Sequence, residues 1–440
     1  MTLNKNLRQL RKLESTLQQH MALFGYELID VPIIAAADIF LTRAGDTIIE
    51  ELFTFERFGQ LLALRPEFTA AAAHHYIQSG LTKSVRWQLS GDIFIDEPSD
   101  YSRQYQQHNI GAEFIGETST STDAEIIAMA AQGMQKLDVS DWQLIIGHVG
   151  LQLHLLSQFK LDRRTYRILL TQRDRLKTNG KQAVLTYLSE ILELEDTNES
   201  MTDSTGVETQ QVLDVLLDST PYGNTMGGRD RRDIAARLLK KHDRGLERQQ
   251  ISDALDFLQS WGELRGTMTE ILPAVQRFIA NDDLYGQQLF NEWQETLNLL
   301  EVYGIPQNKI FIQPDLTKNW DYYTGIVFGI YANETYVASG GRYDGLTQLL
   351  GSELAFPAVG FAYYTQKLLD ASDSVVSPTK IWTVTSDDPY VLIEWASALR
   401  DAAISVQITD NDADITIENN VATLNTKIFS LAELIQELTQ

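Results

Sequence analysis

The spacing of apolar residues predicts an alternation of helices and strands along the chain. Near the amino terminus, apolar residues recur at steps of three and four residues, which is the spacing of one helix face. They are Leu10, Leu13, Leu17 and Met21. Gly25 ends this predicted helix, and residues 26–34 predict a strand with Pro32 at an edge or a bend.

Between residues 51 and 115 the pattern is mostly that of strands. Four β-like runs follow one another, at 52–58, 61–66, 85–95 and 109–116. One amphipathic helix, at about 68–79, interrupts them. Strands that follow one another without a regular helix between each pair indicate an antiparallel sheet with helices packed on it. The predicted fold class is therefore α+β.

The remaining chain predicts a helical insertion and a small terminal domain. Residues 151–300 have an almost wholly helical pattern, with one polar loop at 195–209. Strands resume at 309–313, 324–332 and 334–339, and a helix follows at 365–371. We therefore predict a core from 1–150 and 301–374, a mainly helical insertion at 151–300, and a small acidic domain at 375–440, which begins with a linker at 375–379.

The charge and the cysteine count narrow the function classes. The 440 residues include 60 acidic and 36 basic ones, for a net charge of −24, which disfavours broad binding of nucleic acids or anionic lipids. Cysteine is absent, so no disulfide, thiolate nucleophile or zinc–thiolate site can form. No signal peptide and no run of about 18 apolar residues is apparent. We expect a cytoplasmic protein without a metal or another cofactor.

Four ordered boxes carry a family resemblance. They are Leu64–Ala70 (LRPEFTA), Asn109–Gly116 (NIGAEFIG), Asn319–Gly325 (NWDYYTG) and Ala338–Leu346 (ASGGRYDGL). Each resembles a signature of the class II histidyl-tRNA synthetases. Gly25, Tyr26 and Pro32 look like the dimer-forming first class motif, and Pro357–Ala362 looks like the start of the third. The resemblance covers about 1–370 and implies a class II synthetase-like core that dimerises.

The resemblance also implies a histidine pocket. By family position, Glu67 and Thr69 would hold the α-amino group, with help from Asn109, where the synthetases carry a glutamine. Glu113 would accept a hydrogen bond from the imidazole N–H, and Tyr322 and Tyr323 would wall the ring. Lys318 would lie near the carboxylate of the ligand. These residue types suit a zwitterion with an imidazole, which needs an acceptor for each N–H and flat walls.

The nucleotide half of the family site is altered. The arginine that clamps the α-phosphate in the synthetases is Ile95 here, and Lys318 replaces a second arginine. A glycine beside the nucleotide is Tyr364, and the arginine that closes the third motif is Lys367. Lysine is a point charge and isoleucine carries none, so the bidentate clamp on the phosphates is lost. This pattern predicts that histidine is not adenylated.

This combination resembles the regulatory subunits of ATP phosphoribosyltransferase, which are paralogues of the synthetases. The resemblance implies a non-catalytic subunit that joins a short catalytic subunit in a hetero-oligomer. This subunit would act in histidine biosynthesis and in its allosteric feedback control by histidine. It would bind neither tRNA nor a membrane. Residues 375–440 depart from that family, which usually ends near the core, and resemble a shortened anticodon-binding domain.

Two other functions stay open from the sequence. One is a divergent histidyl-tRNA synthetase, and the other is a paralogue that activates an amino acid for another acceptor. The pocket itself could also be a structural relic, with its carboxylates held by Arg65, Arg103 or other internal donors.

Overall fold

The computed structural model describes residues 2–41, 51–96, 105–191, 225–226, 229–230, 248–316, 322–372, 380–409 and 413–439. Several sequence predictions lie outside these ranges: the 195–209 loop, the 375–379 linker, Arg103 and Lys318. The chain divides into two compact units, one of Leu10–Asp373 and one of Ser374–Gln440 together with Met1–Gln9.

Helices account for much of the described chain. Their bounds are α1 Thr2–Leu23, α2 Ala37–Leu41, α3 Thr69–Gln78, α4 Thr120–Lys136, α5 Val149–Ser157, α6 Arg163–Thr171, α7 Arg173–Ile191, α8 248–262, α9 Met268–Gln276, α10 Leu284–Val302, α11 Leu346–Leu349, α12 Thr365–Ala371, α13 Pro389–Asp401 and α14 Leu431–Thr439. Among them, none combines the length and the hydropathy that crossing a bilayer requires.

The strands form one large sheet and three smaller ones. Their bounds are β1 Glu27–Leu28, β2 Ile34–Ala36, β3 Thr54–Arg57, β4 Gln60–Leu64, β5 Val85–Phe94, β6 Gln106–Ile115, β7 Trp142–His148, β8 Thr225–Met226, β9 Arg229–Asp230, β10 Ile310–Ile312, β11 Ile326–Ala332, β12 Thr335–Arg342, β13 Ala358–Tyr364, β14 Trp382–Thr385, β15 Val406–Ile408, β16 Ile415–Glu418, β17 Val421–Leu424 and β18 Lys427–Phe429.

The large sheet confirms the predicted fold class and corrects one detail. Its eight strands follow the order β1-β5-β6-β13-β12-β11-β7-β10. The six central strands pair antiparallel, as predicted, but β1 runs parallel to β5 and β10 runs parallel to β7. The sheet is therefore mixed at both edges. Parallel pairing is possible at the edges because a helix precedes each short edge strand in the chain. The sequence pattern does not reveal the direction in which a strand runs.

Two apolar cores cover the two faces of this sheet. Alternate residues of β6, β11, β12 and β13 pack under α4, which in turn packs on α10. This core extends into α5–α10, so the helical segment shares the core of the sheet. On the opposite face, α2 and α3 pack over β5, with Tyr76 and Leu89 fully buried. α4 and β7 are not among the elements that the sequence pattern predicts, although alanine and isoleucine recur at helical spacing in α4.

The C-terminal unit has its own small core. Its five strands follow the order β15-β14-β16-β17-β18, and α13 and α14 pack on them through Trp395, Leu399 and Leu434. The strands β17 and β18 form a hairpin at one edge of this sheet. Its turn places Asn425 and Thr426 at positive φ, a conformation that asparagine tolerates well.

Candidate functional site

The candidate site lies on one face of the large sheet, where β6, β12 and β13 meet the start of α3. The β6–β13 register places Glu113 opposite Gly360 and Asn109 opposite Tyr364. Residues at alternate positions of one strand share a face, so Glu113 and Asn109 point to the same side. Gly341 on β12 and Gly360 on β13 carry no side chain there, which leaves room above the sheet for other groups.

Glu113 is the most buried carboxyl group of this site, with 2% of its surface exposed. The Thr69 hydroxyl donates to its Oε1 at 2.7 Å, and the Tyr343 hydroxyl donates to its Oε2. Burial raises the pKa of Glu113 to about 8, against these two hydrogen bonds, and the nearby Glu67 adds to the increase. The side chain is therefore held in one orientation, and a positive charge on a bound ligand would favour its ionised form.

Glu67 and Thr69 are positioned by the first turn of α3. One Glu67 oxygen accepts from the Ala70 amide at 2.8 Å, and the other accepts from the Thr69 amide. These amides belong to the first turn, where no carbonyl partner within the helix exists. Burial raises the pKa of Glu67 to about 7, although these hydrogen bonds oppose the increase. Capping the helix thus fixes a second carboxyl group close to Glu113.

Three tyrosines wall the site. Tyr322 is 5% exposed, and its ring centroid lies 4.8 Å from that of Tyr323 and 5.7 Å from that of Tyr343. The Tyr323 ring lies over Gly341, where a Cβ would come within 2.8 Å of it. Burial raises the pKa of all three hydroxyls, so they stay protonated and can donate hydrogen bonds at neutral pH.

Asn109 adds an unsatisfied acceptor on the same face. Its side chain is 3% exposed, and its Oδ1 has no hydrogen-bond partner among the described residues. Leaving such a buried acceptor unpaired costs about 1–3 kcal/mol, which a donor on a ligand would offset.

Arg65, one of the internal donors that the relic hypothesis names, does not neutralise these carboxylates; their donors inside the protein are the Thr69 and Ala70 amides and the Thr69 and Tyr343 hydroxyls. Its Nε donates to the Asp92 carbonyl at 2.8 Å, its Nη1 donates to the Val31 carbonyl, and Asp30 lies 3.7 Å away. Within the described residues, neither Glu67 nor Glu113 forms an ion pair at 4.0 Å or less. The arrangement suits a small ligand that brings its own positive charge and hydrogen-bond donors.

The structure therefore brings together Glu67, Thr69, Glu113, Tyr322 and Tyr323, with Asn109 on the same sheet face. Lys318 falls outside the described residues. Tyr343 and Gly360 also belong to the site, although neither is among the site residues predicted from the sequence. Both lie within boxes that were recognised, but their contacts depend on the pairing of β12, β13 and β6.

Next to this pocket, the same sheet face is covered by aromatic side chains. The Tyr364 hydroxyl bonds to Ser339 Oγ at 2.7 Å, and its ring centroid lies 5.7 Å from that of Tyr336. The Tyr336 ring in turn lies over Gly329. Lys367 is exposed, with its Nζ 5.4 Å from the Tyr364 ring centroid. Ile95 follows β5 and packs with the apolar residues around it.

Comparison with known proteins decides the family. The sequence profile of the family described as histidyl-tRNA synthetase matches residues 2–219 and 225–368. The chain belongs to the histidyl-tRNA synthetase family. A histidine–tRNA ligase of Methanosphaerula palustris is 32% identical over 417 positions, covering 91% of this chain and 81% of that protein.

Members with another name also match. An ATP phosphoribosyltransferase regulatory subunit of Dehalococcoides mccartyi is 25% identical over 453 aligned positions, covering 99% of this chain and 93% of that protein. The crystal structure of an ATP phosphoribosyltransferase regulatory subunit/histidyl-tRNA synthetase from Bacillus halodurans superposes with a TM-score of 0.66. It is 19% identical and covers 92% of this chain and 89% of that one. The resemblance to regulatory subunits within the histidyl-tRNA synthetase family is thereby confirmed.

Proposed function

We propose that this chain is a non-catalytic regulatory subunit of ATP phosphoribosyltransferase, the enzyme of the first step of histidine biosynthesis. The observation that carries the proposal is the contrast between two halves of one sheet face. The half around Glu113 keeps two fixed carboxyl groups and three tyrosine hydroxyls, whereas the half around Tyr364 is covered by aromatic rings.

Free histidine is the ligand that we assign to the pocket. Glu67 and Thr69, with Asn109, would hold the α-ammonium group, and the unpaired Asn109 Oδ1 supplies an acceptor for it. Glu113 would accept from the imidazole N–H, with Thr69 and Tyr343 keeping its carboxylate in place. Tyr322 and Tyr323 would stack on the ring, and Lys318 would lie near the ligand's carboxylate.

The aromatic rings around Tyr364 are the reason that we assign no adenylation activity to this chain. Transfer of adenylate requires fixed cations around the triphosphate while charge moves onto pyrophosphate, and loss of one such contact typically costs about 3 kcal/mol. Ile95 supplies no charge, Lys367 extends from an exposed position, and the Tyr364 ring stands where the synthetases carry a glycine. Any one of these changes weakens nucleotide binding, and together they remove the clamp.

We also propose a homodimer that joins the short catalytic subunit in a larger hetero-oligomer. The sheet of β2, β4 and β3 supports it, because one face of this sheet carries apolar side chains across all three strands. Ile34, Leu62 and Phe55 share that face by register, and Ile34 is 51% exposed. A protein named as a regulatory subunit matches 99% of this chain, and this match supports the proposal of a catalytic partner.

The competing function is an active histidyl-tRNA synthetase, which the 32% identity to a ligase favours. ATP–pyrophosphate exchange dependent on histidine separates the two, with an active histidine–tRNA ligase as the positive control. The proposal predicts no exchange above the background measured without histidine. Exchange at a rate near that of the control ligase would establish the synthetase function instead.

A further inference from the structure

A buried arginine lies behind the histidine pocket, between the large sheet and the helix that covers its opposite face. Arg342 is the last residue of β12 and is 6% exposed. Its Nε donates to Asp123 Oδ1 on α4 at 2.8 Å, and its Nη2 lies 2.6 Å from the same oxygen. Its Nη1 donates to Asp344 Oδ1 at 2.8 Å. One guanidinium group thus joins α4 to the chain segment that follows β12.

The pair of Arg342 and Asp344 brackets Tyr343 in the chain. These two neighbours bind each other, whereas the Tyr343 hydroxyl donates to Glu113 in the pocket. The Tyr343 amide donates to the Ala358 carbonyl at 2.7 Å, and Asp344 Oδ1 accepts from the Ala358 amide at 3.1 Å. Ala358 begins β13, which pairs with the strand that carries Glu113. The ion pair therefore ties Tyr343 to the neighbouring strand of the pocket.

The same ion pair adjoins the segment that carries the other two tyrosines of the pocket. Thr324 directly follows that tyrosine pair, and its amide donates to the Arg342 carbonyl at 2.8 Å. Its hydroxyl accepts from the Asp344 amide at 3.0 Å. The Arg342 side chain also packs against Gly325, where a Cβ would come within 3.1 Å of it. Arg342 and Asp344 thus hold the chain on both sides of the pocket's aromatic wall.

We propose that Arg342 is a positioning residue for histidine recognition, which acts through Tyr343 on Glu113; the inference rests on the function proposed above. The planar guanidinium group reaches two carboxylates at once, whereas a lysine ammonium is a single point charge on a flexible stem. Apolar residues of similar volume often stabilise a core as well as a buried ion pair does, so stability alone does not require an arginine here.

Calorimetric titration of the full chain with histidine tests this role. Arg342→Lys keeps the charge but cannot bridge both carboxylates, so histidine should bind about tenfold more weakly, as it should in Tyr343→Phe. The double variant should bind at most about twofold more weakly than Tyr343→Phe alone, because both changes remove the same support for Glu113. If Arg342→Lys weakens binding by the same factor with and without the Tyr343 hydroxyl, the proposal is overturned, since a general loss of packing would not depend on that hydroxyl.

Arg86→Lys is the matched control for these titrations. Arg86 lies on β5 and also pairs with a carboxylate of α4, that of Glu125, at 3.1 Å. It has no contact with Tyr343, so histidine affinity should stay within about twofold of wild type. A loss in Arg86→Lys equal to that in Arg342→Lys would show that any weakened contact with α4 disturbs the pocket, and would overturn the specific role of Arg342.

Urea unfolding without ligand tests the same link independently of histidine. Arg342 and Glu113 lie on opposite faces of the sheet by register, and changes at residues without contact usually add. Glu113→Gln should change the free energy of unfolding less in Arg342→Lys than in wild type, because Tyr343 is then no longer held against residue 113. Equal changes in the two backgrounds would overturn the proposal. Absence of heat with wild type and histidine would contradict the proposed ligand instead, and the unfolding comparison then decides the role of Arg342.

Discussion

The Glu113 carboxylate lies directly above the Cα atom of Gly360 on the neighbouring strand. A Cβ at residue 360 would come within 1.7 Å of Glu113 Oε2, so only glycine leaves the carboxylate where Thr69 and Tyr343 hold it. The position of the group to which we assign imidazole recognition is thus set by a missing side chain on the strand beside it.

Gly360→Ala should therefore displace the Glu113 side chain and abolish measurable histidine binding. We expect the free energy of unfolding to fall by about 1–3 kcal/mol, as is usual for overpacking a core. Gly345→Ala is the matched control, since a Cβ at Gly345 meets no atom within 4 Å. Calorimetry with histidine and urea unfolding measure both effects. Histidine affinity in Gly360→Ala equal to that of Gly345→Ala would show that Glu113 has no part in binding.

Glu113→Gln keeps the volume of the side chain and removes the carboxyl group that a bound ligand would hold in its ionised form. A hydrogen bond to a charged group is worth about 1.5–3 kcal/mol against about 1 for a neutral pair, so histidine should bind about tenfold more weakly. Glu125→Gln provides the control, because Glu125 also accepts from a tyrosine, Tyr26, at 3.1 Å, but it lies on α4 and outside the candidate site. Equal affinity in the two variants would favour the view that the pocket is a relic.

The two carboxyl groups should make the ligand-free protein less stable as the pH rises. Burial raises the pKa of Glu67 to about 7 and that of Glu113 to about 8, whereas an unfolded glutamate titrates near pH 4.3. Between these pH values the folded chain binds more protons than the unfolded chain. The contribution of the two protonated carboxyl groups to the free energy of unfolding is therefore lost as the pH rises through 7 and 8.

Glu113→Gln removes the Glu113 part of this pH dependence. From pH 5 to pH 8, its unfolding free energy should rise relative to that of wild type, by at most about 1.4 kcal/mol per pH unit. Urea unfolding of both proteins at several pH values measures the difference, in which the titration of histidines elsewhere cancels. A difference that stays constant over this range would show that Glu113 titrates at an ordinary pKa.

The sequence allowed the residues of the pocket to be named but not the way in which they are held. Glu67, Thr69 and Glu113 stand in recognisable boxes, and the fold class follows from successive strands with few helices between them. The support from Tyr343 and Gly360 could not be predicted, because it depends on the register of β6, β12 and β13. The parallel edge strands likewise depend on contacts between distant segments.

Phe55→Asp should weaken the proposed homodimer, because it puts a charge on the apolar face of the β2–β4–β3 sheet. Phe55 is 38% exposed in the single chain. Glu56→Gln is a suitable control, since Glu56 points to the other side of the same strand. Sedimentation velocity should show a dimer for wild type and the control and a monomer for Phe55→Asp at the same concentration. A wild-type monomer at all concentrations would rule out the dimer.

The regulatory role is tested most directly by assaying ATP phosphoribosyltransferase activity of the short catalytic subunit with and without this chain. We predict that the purified chain raises this activity, and that histidine then inhibits the mixture of the two proteins. Glu113→Gln should raise the activity equally but require about tenfold more histidine for half inhibition. Catalytic activity that is the same with and without the chain, at every histidine concentration, would contradict the account.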